Sequence, residues 1–186
     1  MNLATKRRAH YDLVTAGGLH YNTCKGVTMT ATTPSITSFP PRDLADFLDL
    51  CTGRWMSLRS RFEPGGAGTE WHRSQHGYIN VTRIAESAEL EKLGGLVLEP
   101  PEGLEQQLHF FIDGSLNLRG ACQAGGAWSF KPDSNLELSI WRDDGGSLTE
   151  WIWFTKPNLR LRSTMATTAA GVLEQASFAS EIRRIS

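Results

Sequence analysis

The stretch EWIWFTKPNLRLRST, residues 150–164, decides the fold. An aromatic-rich run, Glu150–Thr155, meets a Lys-Pro-Asn turn and continues as Leu-Arg-Leu-Arg from Leu159. Strict alternation is the signature of a β-strand, in which residues two apart share a face. Arg160, Arg162 and Thr164 therefore point one way, and Leu159, Leu161, Ser163 and Met165 the other. On the preceding strand Glu150, Ile152 and Phe154 oppose Trp151, Trp153 and Thr155. If the arginines face water, this is an ordinary half-buried hairpin. If they face inward, the protein has an anion-binding interior. Alternation alone leaves both readings open.

Working outward, turn chemistry divides the neighbouring sequence into short strands. The separators are DGS at 113–115, AGG at 124–126, KPDSN at 131–135 and DDGGS at 143–147. The expected strands are Arg54–Phe62, Glu70–Arg73, Gly77–Ile84, Glu105–Ile112, Ser115–Arg119, Ala127–Lys131, Leu136–Arg142, Ser147–Thr155, Leu159–Ala166 and Leu173–Ile185. Short spacing without a long crossover favours an antiparallel up-and-down β-barrel over a Greek-key sandwich. Barrels of this size can enclose a small ligand. One helix is expected before the first strand. Leu44, Phe47, Leu48 and Cys51 recur at i, i+3, i+4 and i+7, Asp43 complements the positive end, and Gly53 stops it. A second short helix is expected at Glu86–Leu93, ended by Gly94 and Gly95.

Residues 1–40 read differently. Lys6, Arg7, Arg8 and Lys25 face the single acid Asp12, and a Thr/Ser/Pro-rich stretch follows. They are expected to form a structureless extension, leaving residues 41–186 as one domain. The 186-residue chain has a formal net charge of −1, so no overall field points to nucleic acid or an anionic membrane. Its longest apolar runs are too short to span a bilayer as a helix. Three cysteines, Cys24, Cys51 and Cys122, lack C-x-x-C spacing and fit a reducing cytoplasm better than a disulfide framework. His72 and His76 are four apart on a strand-like segment, where that spacing does not bring side chains together, so no metal site is expected.

Two details favour the inward reading. In RWMSLRSRF, Trp55, Ser57, Arg59 and Arg61 share a face, and a solvated face has little use for Trp55 beside Arg59. The C-terminal half also uses arginine rather than lysine, and the guanidinium fork matches carboxylates and stacks on flat rings.

Three segments carry a family resemblance: GRWMSLR at 53–59, EWIWFTKPNLRLRST at 150–164 and FASEIR at 178–183. Together they resemble the S/U-type phycobiliprotein lyases (the CpcS/CpeS/CpeU group). The resemblance implies an all-β, lipocalin/fatty-acid-binding-protein-like barrel of about ten strands with one or two short helices. It implies a chromophore lyase that binds an open-chain tetrapyrrole, phycoerythrobilin or phycocyanobilin, as substrate, with no permanently bound cofactor. The bilin would be joined by a thioether to a cysteine of a phycobiliprotein α or β subunit. The same resemblance implies a cyanobacterial cytoplasm or an algal plastid, and a second lyase subunit or a homodimer as further partners.

Under that resemblance Glu150 is the expected catalytic carboxylate, accepting hydrogen bonds from the pyrrole N–H groups. Arg160 and Arg162 would hold the propionates, with Arg59 assisting and Thr164 beside them. Trp55 or Trp153 would stack on the pigment, although alternation places Trp153 on the face opposite Glu150. Trp128 and Phe130 are expected in the core. Glu181 and Arg183 are expected either as a structural pair or as cavity residues. The chain departs from the family pattern at Trp151, where arginine is usual, and at Ser163-Thr164. A non-enzymatic carrier of a fatty acid or pigment, or a non-catalytic subunit of a heteromeric lyase, would use the same inward arginines.

Overall fold

The computed structural model describes residues 38–64, 72–88, 91–100, 104–120 and 123–184. The expectations for residues 1–37, including Cys24, and for Cys122 lie outside the described residues. Among the described residues one helix, α1 (Leu44–Cys51), precedes ten strands: β1 (Gly53–Phe62), β2 (His72–Ile84), β3 (Lys92–Glu99), β4 (Gln106–Phe111), β5 (Ser115–Gly120), β6 (Ala124–Phe130), β7 (Leu136–Trp141), β8 (Ser147–Lys156), β9 (Leu159–Thr167) and β10 (Leu173–Arg183). Each strand pairs antiparallel with its sequence neighbours, and β1 pairs with β10 to close the barrel. Closure leaves no strand edge free among the described residues.

The helix forms where the apolar spacing places it. Asp43 caps it, its carboxylate accepting from the Asp46 amide at 2.9 Å, and Leu44, Phe47, Leu48 and Cys51 are buried. The cap satisfies one of the donors that every helix start leaves unpaired. Gly53 then takes φ +122°, a conformation L side chains avoid, and turns the chain into β1. The apolar stripe plugs one end of the barrel. Phe47 meets Phe130 and Phe154 edge-on, with ring centroids 5.8 and 5.2 Å apart.

Two expectations are corrected. Glu86–Leu93 is not a helix: among its described residues Ser87 bridges to Lys92, and β3 begins at Lys92. Gly94 and Gly95 belong to that strand. A Cβ at Gly95 would lie 2.0 Å from the Leu108 carbonyl oxygen, so glycine is there for close strand approach rather than to end a helix. The two short strands expected at Glu70–Arg73 and Gly77–Ile84 are, from His72 onward, one long strand, β2, while Glu70 and Trp71 lie outside the described residues.

The lumen has two unlike walls. Strands β3 to β7 line it with Leu96, Leu98, Leu108, Phe110, Leu116, Leu118, Leu136, Leu138 and Ile140, all buried. Strands β8, β9, β10 and β1 turn Glu150, Arg160, Arg162, Thr164, Glu181 and Ser177 inward, and these are buried too. The same four strands carry apolar groups outside: Met56, Leu58, Phe178 and Ile182 are exposed. On this half of the barrel the usual arrangement is inverted. Trp128 and Phe130 pack against the core as expected, and the Trp128 indole donates to the Phe111 carbonyl at 3.0 Å.

Candidate functional site

The arginines face inward. Register places Glu150 opposite Thr164 on β8 and β9, and Arg160 opposite Glu181 on β9 and β10. Thr164 donates its hydroxyl to Glu150 at 3.1 Å. The Arg162 guanidinium lies 3.3 Å from Glu150 and 3.7 Å from Glu181, and Arg160 Nε donates to Glu181 at 2.5 Å. Arg162 thus links the two carboxylates into one chain of charge, Glu150–Arg162–Glu181–Arg160. With Arg59, half-buried beside it, the wall carries three guanidiniums against two carboxylates.

The electrostatics follow from crowding these groups away from water. Burial pushes the Glu181 carboxyl up, but Arg160 and Arg162 pull it further down, to about 2. Burial pulls Arg162 down, and Glu150 and Glu181 more than reverse this. Burial and the charge of Arg162 both push Arg59 down. Arg160 Nη2 and Arg162 Nε are buried donors with no hydrogen-bond partner among the described residues. A buried donor left unmade is costly, and an anionic oxygen is what would satisfy it.

Trp55 and Trp153 separate. Trp55 is fully buried, donates its indole N–H to the Cys51 carbonyl at 2.8 Å, and lies 4.6 Å beneath the Arg160 guanidinium. Its ring supports an arginine rather than forming an open stacking surface. Trp153 is not in the lumen at all. It sits on the outer wall against Phe178, ring centroids 6.2 Å apart, because it is three residues from Glu150 on a strand of period two.

The pairing of Glu181 with Arg183 does not form. Glu181 takes Arg160 instead, while Arg183 donates to the Leu50 carbonyl and covers Trp55 from 4.8 Å. That Glu181 anchors the arginine pair was not readable from sequence, since it depends on the β9–β10 register.

A cavity of about 40 Å³ opens beside the network, lined by Arg59, Arg162 and Glu181 on one side and Gly77 and Ile79 of β2 on the other. Ligand pockets are typically about 300–1,000 Å³, so this cavity is smaller than a ligand of that class needs. Cys51 is buried at the plugged end, where burial raises its thiol despite the nearby arginines, so it is poorly suited to act as a thiolate. No group of three or more metal-ligating side chains occurs among the described residues, and His72 and His76 lie exposed on β2. No helix among the described residues is long and apolar enough to cross a membrane.

Fold and site together define an all-β, lipocalin-like barrel with a charged wall facing an apolar one. A family model described as CpeS-like protein matches residues 118–184, the span that carries Glu150, Arg160, Arg162 and Glu181. The "Chromophore lyase CpcS/CpeS 1" of Paulinella chromatophora is 40% identical over 152 residues, covering 82% of this chain and 94% of that protein. The solved S-type phycobiliprotein lyase CPES of Guillardia theta shares the fold, with a TM-score of 0.62 at 21% identity over 77% of this chain and 93% of that one. The chain belongs to the CpcS/CpeS chromophore lyase family.

Proposed function

We propose that this protein binds an open-chain tetrapyrrole, phycoerythrobilin or phycocyanobilin, inside the barrel and attaches it to a cysteine of a phycobiliprotein α or β subunit. The observation that carries the reading is the lumen's asymmetry. A bilin has an extended apolar ring system with two propionates, and the barrel sets an apolar wall against three arginines. Membership of a chromophore lyase family supports the same substrate class.

In this reading the bilin propionates take over Arg160 and Arg162, with Arg59 assisting, and satisfy the buried Arg160 Nη2 and Arg162 Nε donors. Glu181 then yields part of its hold on the pair. Glu150, kept in place by Thr164 and Arg162, accepts from the pyrrole N–H groups and stabilises the protonated pigment. Positive charge on the conjugated system draws electrons from the ethylidene carbon. The acceptor thiol adds across that double bond: sulfur bonds to carbon, its proton is taken up by the tetrapyrrole, and nothing leaves. Charge stabilisation of this kind is strongest where water cannot screen it. The bilin is substrate and cargo rather than a resident cofactor. The expected setting is the cytoplasm of a cyanobacterium or the corresponding plastid compartment.

The test is co-expression with a bilin pathway and each candidate phycobiliprotein subunit, followed by zinc-enhanced fluorescence of the denatured products. Covalent pigment on a subunit only when this chain is present is the expected result. Pigment bound by this chain but never transferred would instead support a non-catalytic carrier.

A further inference from the structure

The last turn of α1 and the lumen arginines share two side chains. Trp55 on β1 stands opposite Arg183 on β10, on the side of the sheet that also carries Glu181. The Trp55 indole donates to the Cys51 carbonyl at 2.8 Å, and Arg183 donates to the Leu50 carbonyl. Both carbonyls belong to a helix end, where no intrahelical donor is left for them. The Arg183 stem passes Gly53 so closely that an added Cβ would touch Arg183 Cδ at 3.5 Å. Its guanidinium lies 4.8 Å from the Trp55 ring centroid, and the Arg160 guanidinium lies 4.6 Å from the same ring. One indole can attract both cations because its π face is negative.

From this geometry we infer that Arg183 is a positioning residue for Arg160, acting through Trp55, so that the end of α1 sets the angle of an arginine in the lumen. The role of Arg160 toward a propionate rests on the proposed bilin reading, whereas the chain of contacts needs no pigment. Arg160 is tied into the sheet at Nε, by Glu181, while its Nη2 is a buried donor with no hydrogen-bond partner among the described residues. A bond at Nε alone lets the guanidinium tilt, but two-point contact with a carboxylate needs a fixed plane. The Trp55 ring supplies the second constraint. That ring is held at its N–H by α1, lies beside Phe154 with centroids 6.0 Å apart, and is covered by Arg183. Removing Arg183 uncovers the ring and releases the Leu50 carbonyl together. Arg183 does not line the cavity beside Arg59 and Arg162, so its influence there passes through its neighbours.

Arg183→Met and Arg183→Lys in the full chain test this, with circular dichroism to follow folding. The first readout needs no pigment. It is the Arg160 Nε–H resonance in a nitrogen–proton NMR spectrum, set apart by the bond to Glu181 and the indole ring current. In Arg183→Met it should move and broaden. The second is an absorbance titration with phycocyanobilin. Affinity should fall about 3- to 30-fold, the span of one cation–ring contact, while transfer of pigment already bound changes less because Glu150 is untouched. Arg183→Lys keeps the charge but not the planar group that reaches ring and carbonyl together. It should therefore stay weaker than the unaltered chain by about 3-fold or more. Should Arg183→Met unfold, the lysine variant decides alone. An unmoved Arg160 resonance, unchanged affinity, full recovery by lysine, or a transfer rate that falls as far as affinity overturns the inference. Unfolding of both variants overturns it too, since Arg183 would then hold the fold rather than Arg160. An unaltered chain that takes up no pigment removes the proposed function instead, and the Arg160 resonance still decides the inference.

Discussion

Glu181 Oε2 lies 2.5 Å from Arg160 Nε across the β9–β10 pair, and both side chains are sealed from water. A buried ion pair is stable only while both partners remain, because each alone is an uncompensated charge in low dielectric. Glu181→Gln removes the carboxylate between Arg160 and Arg162, leaving Arg162 with Glu150 alone. It should cost about 3–5 kcal/mol in urea unfolding. The double replacement Glu181→Leu with Arg160→Met should recover most of that stability while abolishing bilin binding. A single variant as stable as the unaltered protein would show that the pair is not sealed.

The same carboxylate sets the acid limit of the fold. Its folded value, about 2, lies below its ordinary 4.5, so its contribution is fully present above pH 4.5 and is lost as pH falls toward 2. Asp46 is also held at about 2, chiefly by its hydrogen bond from Arg42, but that pair is at the surface and salt weakens it. Melting temperature measured from pH 6 to 2.5 in about 0.5 M salt should therefore fall steeply below pH 4.5. A flat profile through that window would contradict the assignment.

How much of this was legible in the sequence varies with what each element depends on. The α1 stripe and the β8–β9 hairpin were readable because their signals are local: heptad-like spacing with a capping aspartate, and two-residue alternation about a Pro-Asn turn. The side on which the arginines lie was not local, since either face of a strand can be the dry one. It followed only from closure of the sheet. Lys92–Glu99 was missed as a strand because acidic residues before paired glycines imitate a helix and its stop, whereas Gly95 answers to the approach of Leu108 from β4. The outward position of Trp153 follows from period two, since it is an odd number of residues from Glu150. The Arg160–Glu181 contact needed the β9–β10 register, which brings together residues 21 apart in sequence.

Gly95→Ala probes that close approach. The added methyl would meet the Leu108 carbonyl oxygen at 2.0 Å, and backbone cannot yield as a flexible side chain does. A loss of about 1–3 kcal/mol is expected in urea unfolding, the range for overpacking. Gly171→Ala makes a useful contrast: its φ of +77° strains the backbone, but no atom lies within 4 Å of the added group.

Arg160→Lys separates charge from shape. Lysine still balances Glu181, so the barrel should fold, but it lacks the planar fork that grips a carboxylate and stacks over Trp55. An absorbance titration with phycocyanobilin should show binding weakened by about 1.5–3 kcal/mol. Unchanged affinity would remove Arg160 from the propionate site.

Glu150→Gln tests the mechanism most directly. It keeps the shape and one acceptor oxygen beside Thr164 but removes the negative charge that would favour a protonated bilin. The measurement is the transfer rate to an acceptor subunit, with the visible spectrum of the bound pigment recorded on the same sample. The account predicts a blue-shifted, weaker band and a rate lower by on the order of ten- to a thousandfold, with binding less affected because the arginines remain. Spectrum and rate both equal to those of the unaltered protein would contradict it.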